Sequence, residues 1–298
     1  MADIPYWGEI CALLSPLAWS IAVILFRKTG EAVSPLVLNF FKSVVALVGF
    51  AALLVVTGEV APEGVDGGDY ALLLFSGLIG VGLADLFFFM CLNRVGAGRQ
   101  AIVNTAYSPP IILLSWLLLG ERLTVWQLVG VGLILVAVLL VGKTKGAAGE
   151  NVVAGVLWGV AACVSQAISI VMVKPFLDDW PVVWTTFWRM LGGVIGTTTM
   201  LAFARAENRQ LGQLRQPAVW RVMLPATLIG SLLSQWLWMA GFKYADASVA
   251  AALNQTATLF TFVLAVLILH EPVNRRRLAG LACGMGGVAL VTFLGARG

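Results

Sequence analysis

The 298 residues are 60% hydrophobic and only 11% charged, with a mean hydropathy of +0.93. That balance excludes a soluble globule, whose surface needs far more charge, and points to a multi-pass membrane protein. The net charge of +4 and pI near 9.0 do not indicate nucleic acid binding, because the basic residues sit between apolar runs, where topology signals fall.

A helix that crosses the bilayer needs about 20 mostly apolar residues. Ten stretches approach or reach that length, over 8–26, 34–56, 70–92, 98–119, 124–142, 152–173, 182–204, 219–242, 247–269 and 275–295. Local chemistry marks several edges. Ser34 before Pro35 predicts an N-cap and first helical position, Pro181 predicts the same kind of start for the seventh span, and Thr124 with Gln127 predicts a capping box. Pro109 and Pro110 remove backbone donors inside the fourth span and predict a kink. Cys11, Cys91, Cys163 and Cys283 lie singly in apolar runs, so they are read as small buried hydrophobes, and neither a metal nor a cofactor is expected. The N-terminal MADIPYWGE has no basic region of a signal peptide, so the first span is expected to be retained.

The chain repeats itself. Sliding 95–141 by 150 positions places Asn104 on Asn254, Glu121 on Glu271 and Gly130 on Gly280, and the same register carries Leu78, Ile79 and Gly80 onto Leu228, Ile229 and Gly230. An offset of 147 aligns the first two spans of each half, pairing Gly8 with Gly155, Lys42 with Arg189 and Gly49 with Gly196. Internal duplication is the economical explanation. The expected units are residues 1–146 and 147–298, each with five spans. An odd number turns the second unit upside down, so the expected fold is an all-α membrane protein of ten transmembrane helices in two inverted five-helix repeats. GxxxG spacings at Gly155 and Gly159, Gly192 and Gly196, and Gly280 and Gly284 predict close packing within the bundle, in a monomer or homodimer.

Orientation follows from Lys and Arg. Thirteen of the 19 lie in loops after odd-numbered spans, whereas Arg122, Lys174, Lys243 and Arg297 lie on the other side. This bias places both termini outside the cytoplasm. The loop from Thr57 to Asp69 agrees, with four acids and no base.

Lys42 and Arg189, the remaining two, fall inside the second and seventh spans. A charge at the helix centre costs roughly 2.5 to 3.5 kcal/mol on insertion scales, so something must offset it. Either both line a water-filled cavity and bind a carboxylate or phosphate, or they snorkel to headgroups or clamp a neighbouring helix. Asp85, deep in the third span with Gln235 as its counterpart, is a candidate for proton coupling or for contact with a substrate amine, or else the fixed partner of Lys42 or Arg189. Asn104 and Asn254 are expected as interhelical polar contacts that meet near the axis relating the halves, in preference to ligand contacts. Ser231, Gln235, Trp238 and Phe242 recur at helical spacing, and with Gln166, Trp188 and Trp19 they make mixed faces suited to an amphipathic solute. The candidate substrate-binding residues are thus Lys42, Asp85, Gln166, Trp188, Arg189, Gln235 and Trp238. Trp7, Trp126, Trp180 and Trp220 are assigned to interfacial belts. Glu121 and Glu271 are read as turn carboxylates held by helix dipoles, and His270 as a surface position.

The run GERLTVWQLVGVGLILVAVLLVG resembles the end of an EamA-type repeat of the drug/metabolite transporter superfamily, and HEPVNRRRLAG in the second half keeps its Glu, a cap and its Gly but not the Arg-Leu-Thr. The resemblance covers nearly the whole chain. It implies a secondary transporter in the cell (inner) membrane, an exporter of a small organic metabolite such as an amino acid or related amphipathic solute, working by alternating access around a central cavity. Its partners would be a small-molecule substrate and membrane lipid, with no nucleic acid. A proton-independent exchanger or facilitator of an organic anion or drug-like compound is the alternative. The resemblance also implies cytoplasmic termini, opposite to the charge count, and the charge count is followed here. An intramembrane enzyme is the rival class, but no HExxH, GxSxG or Cys-His arrangement appears. A non-transporting scaffold would leave the intramembrane charges without a role.

Overall fold

The computed structural model of the chain describes residues 6–30, 32–119, 124–143, 151–173, 180–204, 209–244 and 253–294. Expectations for Glu121, Arg122, Lys145, Lys174, Arg205 and Arg297, and for the side chains of Phe242 and Lys243, lie outside these residues. All regular structure among the described residues is helical.

Helix α1 covers Trp7–Thr29, α2 Pro35–Thr57, α3 Gly67–Gly77, α4 Ala84–Val95, α5 Ala97–Val103, α6 Ser108–Leu119 and α7 Val125–Gly142. In the second half α8 covers Val152–Val173, α9 Val182–Phe203, α10 Pro217–Thr227, α11 Ser234–Tyr244, α12 Thr256–Leu269 and α13 Arg275–Ala289. Among the described residues, six continuous helical stretches are long and apolar enough to cross a membrane: Trp7–Thr29, Pro35–Thr57, Gly67–Val95, Val125–Gly142, Val152–Val173 and Pro217–Gly241. Their outward faces carry exposed Val55, Leu139 and Leu157, while Phe26, Phe50, Phe89 and Ile134 fill the interior. Exposure of so much aliphatic surface fits a hydrocarbon surround.

Helix starts follow the expected caps, with two exceptions. Ser34 accepts from the Val37 amide at 3.4 Å with Pro35 at the first position, Thr124 and Gln127 form the capping box at 3.2 and 2.9 Å, and Asn274 accepts from the Arg277 amide at 2.9 Å. Pro181 precedes α9 without supplying a cap; Glu59, from the loop after α2, accepts instead from the Val183 and Trp184 amides at 2.9 and 3.1 Å. Glu271 serves a helix far away in sequence. It accepts from the amides of Ala97 at 2.7 Å and Gly98 at 3.3 Å, opening α5, while the buried Arg277 reaches the same carboxylate at 3.3 Å. Gly96, at φ 82°, makes the left-handed turn that aims these amides, and a Cβ on it would meet the Glu271 carboxylate at 2.5 Å. We expect Glu59→Ala to lower stability by about 1 to 2 kcal/mol, as the loss of a charged cap does, and Glu271→Ala to lower it by more, because it also takes the carboxylate from the buried Arg277. Thermal unfolding in detergent is the check, and midpoints equal to that of the parent protein would show that these caps contribute nothing.

The long helices are interrupted where the halves meet. Leu78–Leu83 and Leu228–Leu233, one repeat apart, are π turns joining α3 to α4 and α10 to α11. In the first, Asn39 donates its amide to the Val81 and Gly82 carbonyls at 3.0 and 2.8 Å, satisfying acceptors that the widened turn releases. The fourth span breaks into α5, a tight turn at Asn104–Tyr107, and α6, so the interruption lies just before Pro109 and Pro110, from which a kink is expected.

Packing pairs the helices in matched sets. Helix α4 lies on α8 as α11 lies on α1, α3 on α9 as α10 on α2, and α6 on α8 as α12 on α1; α2 meets α9, and α7 meets α13. Gly155, Gly159 and Gly284 sit against Val95, Val103 and Thr105, so the predicted small-residue spacings are spent inside the bundle.

Candidate functional site

Both π turns bring backbone close to a neighbouring helix at a glycine. A Cβ on Gly80 would collide with the Ser169 hydroxyl of α8, and one on Gly230 would lie 2.5 Å from the Ala22 Cβ of α1. Between these crossings lies a cavity of about 280 Å³. Pockets for small organic ligands begin near ~300 Å³, so the space matches a compact solute.

The cavity gathers most of the predicted residues. Lys42 comes from α2, Asp85 from α4, Gln166 from α8, Arg189 from α9, Gln235 and Trp238 from α11, Asn104 from the turn between α5 and α6, and Asn254 from just before α12. Trp19, Phe88 and Ile170 supply its apolar wall. Asn104 is exposed into this space, a position open to a ligand rather than sealed between two helices. Cys91 and Cys163 are buried thiols of the packed wall.

Trp188 departs from expectation. It does not line the cavity but packs edge-on against Tyr70 at 4.7 Å and Trp184 at 6.4 Å. Successive residues on a helix point about 100° apart, so a helix that turns Arg189 inward must turn Trp188 aside, onto the residue four positions back. Trp180 joins the same cluster through Trp184 at 5.6 Å, while Trp126 and Trp220 remain exposed near span ends.

The two cations solve their burial differently. Lys42, its side chain 4% exposed, neither snorkels nor clamps a carbonyl; it pairs with Asp85 at 2.5 Å. Arg189 is buried, and among the described residues no carboxylate lies within 4 Å of it. Its Nε donates to Ser76 at 3.2 Å and its Nη2 to Ser169 at 3.0 Å. Each of those hydroxyls also reaches the other serine's carbonyl, at 3.0 and 2.8 Å. A hydroxyl with its proton on a carbonyl keeps its lone pairs for a donor, so the serine pair is set to receive the guanidinium. Ser15 and Ser234 make a matching clasp at the other crossing, at 2.9 and 3.1 Å.

Sequence reasoning did not single out Ser76, Tyr107, Thr186 or Asn39. Their one signal is a polar residue in an apolar run, too common to select them. Ser231, on the face predicted for α11, lines the cavity with a hydroxyl that has no partner among the described residues. The described residues include no cluster of three or more metal-ligating side chains.

A model of the EamA-like transporter family matches residues 6–143 and, a second time, residues 153–293. The chain belongs to the EamA-like transporter family. Among curated relatives it is 23% identical to an uncharacterized transporter of Archaeoglobus fulgidus, over 91% of this chain and 93% of that one. It is 26% identical to the uncharacterized transporter YetK of Bacillus subtilis, over 74% of this chain and 67% of that one. A WAT1-related chloroplast protein of Arabidopsis thaliana is 23% identical, over 96% of this chain and 69% of its own length. A solved crystal structure shares the fold with a TM-score of 0.61 at 19% identity, covering 97% of this chain and 98% of that one. This EamA-like protein is therefore a multi-pass membrane transporter and not an enzyme.

Proposed function

We propose that this EamA-like protein is a secondary transporter of a small amphipathic organic solute bearing an acidic group, which it carries by rocking two inverted halves, residues 1–146 and 147–298, about the cavity. The matched packing sets support that architecture, because among the described residues most of the extensive cross-half contacts have a mate with the halves exchanged. Loop contacts support ten crossings. Loops predicted on one face bond to one another, as Asn93 does to Gly30, Arg276 to Lys143 and Glu271 to Ala97, whereas Glu59 meets Val183 on the other. With thirteen cations on the first of these faces, that face is cytoplasmic and the termini lie outside.

The observation that carries the solute reading is Arg189: a buried guanidinium on the cavity wall with hydroxyl partners only. An organic anion supplies the missing countercharge through charge-assisted hydrogen bonds, and Trp19, Phe88 and Trp238 take its apolar part. Asp85 is engaged by Lys42, so charge compensation accounts for it better than proton carriage, and this favours the proton-independent exchanger or facilitator. Counterflow of radiolabelled carboxylates in proteoliposomes tests the reading. Arg189→Gln is expected to weaken solute binding by about 10- to 100-fold, with Arg189→Lys recovering part of it. Counterflow that is equal in parent and Arg189→Gln protein would remove the anchor from this account.

A further inference from the structure

We infer that the cavity selects a solute of one net negative charge and discriminates against zwitterions such as free amino acids, an inference that rests on the cavity being the transport site. Three charged side chains line it among the described residues: Lys42, Asp85 and Arg189. Lys42 and Asp85 neutralise each other, which leaves one uncompensated positive charge, at Arg189.

A zwitterion would place its carboxylate on Arg189 and must set its ammonium against a second carboxylate. Asp85 fits that need geometrically, being 24% exposed, but its Oδ2 already holds Lys42, whose side chain is 4% exposed, so an ammonium on Oδ1 would set two cations against one carboxylate. Taking Asp85 away would strand the Lys42 ammonium in a low-dielectric wall, and removing one partner of a buried pair costs on the order of a hundredfold or more at equilibrium. A lone carboxylate asks nothing of the pair. It docks on the Arg189 edge left by the serines, where Nη1 has no protein partner among the described residues. Gln166 and Gln235 offer amide oxygens that can accept from an ammonium but bring no negative charge to offset it.

Three probes that share a phenylethyl body separate the possibilities: 3-phenylpropanoate, phenylalanine and 2-phenylethylamine, tested for binding and counterflow with the full chain in proteoliposomes. The monoanion is expected to bind about tenfold or more tightly than either of the others. Phenylalanine binding as tightly as 3-phenylpropanoate, or more so, would overturn the charge selection and leave the transport reading standing. If none of the three binds or moves, and Arg189→Gln matches the parent protein, the transport-site reading falls and this inference with it. A charge-shift variant gives a second readout. Asp85→Asn adds one positive charge, so the preference should swing about tenfold from 3-phenylpropanoate toward the dianion phenylsuccinate, whereas Lys42→Gln combined with Asp85→Asn should restore the preference for the monoanion. An unchanged ratio in the Asp85→Asn protein would overturn the inference, and where that variant does not fold the three-probe comparison on the unaltered chain decides alone.

Discussion

Alanine at Gly77 or at Gly192 is expected to cost about 3 kcal/mol or more, the upper range for overpacking, because both substitutions drive a methyl into main chain. Helices α3 and α9 cross with their backbones in contact. A Cβ on Gly77 would collide with the Arg189 carbonyl, and one on Gly192 would collide with the Leu74 carbonyl. A side chain can swing away; a helical carbonyl can retreat only if the whole helix does. The controls are Gly132→Ala and Gly286→Ala, where an added Cβ meets nothing within 4 Å. Yield of monodisperse protein and the thermal midpoint in detergent should separate the two pairs. The Gly77 contact is made by the backbone of Arg189 itself, so any folded Gly77→Ala protein should also hold its guanidinium less well against Ser76 and Ser169. Equal midpoints for Gly77→Ala and Gly132→Ala would show that the crossing is looser than its geometry requires.

The second large effect lies in the Lys42 and Asp85 pair. Breaking a buried pair from one side costs about 3 to 5 kcal/mol, while replacing both partners with apolar groups of similar volume is close to neutral. Asp85→Leu strands a lysine that is 4% exposed, whereas Lys42→Met strands a carboxylate that is 24% exposed to the cavity. Asp85→Leu is therefore the more damaging single change, Lys42→Met is milder, and the double variant is expected to recover most of the loss. A double-mutant cycle on thermal unfolding should give a coupling of about 2 to 4 kcal/mol, reduced from the fully buried value by the partial exposure of Asp85. Additive single effects would mean that the two groups do not depend on each other.

Much of the architecture is legible along the chain, since burial in lipid imposes length and composition on each span. The sixth span falls on α8 at both ends, and the Thr124 and Gln127 capping box and the Asn274 cap fall where those residues indicate. The repeat is legible as well, and the paired π turns at Leu78 and Leu228 show how closely the two copies agree. The site is legible in part. Polar residues in apolar runs marked Lys42, Asp85, Gln166, Arg189, Gln235 and Trp238, all of which reach the cavity. Trp188 was marked for standing beside Arg189, and adjacency on a helix is separation in space.

Composition, hydropathy period and the register between the halves by themselves determine a polytopic helical chain, the places where its helices start, and which side chains the membrane core must accommodate. Those are local or pairwise-in-register properties, and the bilayer enforces them one span at a time. Only the tertiary structure decides how each buried charge is met. Lys42 and Arg189 are equivalent in the repeat, yet one takes a carboxylate 43 positions away and the other a hydroxyl 113 positions away. Glu59 and Glu271 likewise cap helices 124 and 174 positions distant. Such partners are chosen by which faces the crossing helices bring together, and glycines allowing close backbone approach set those crossings; nothing in the neighbourhood of either residue encodes the answer.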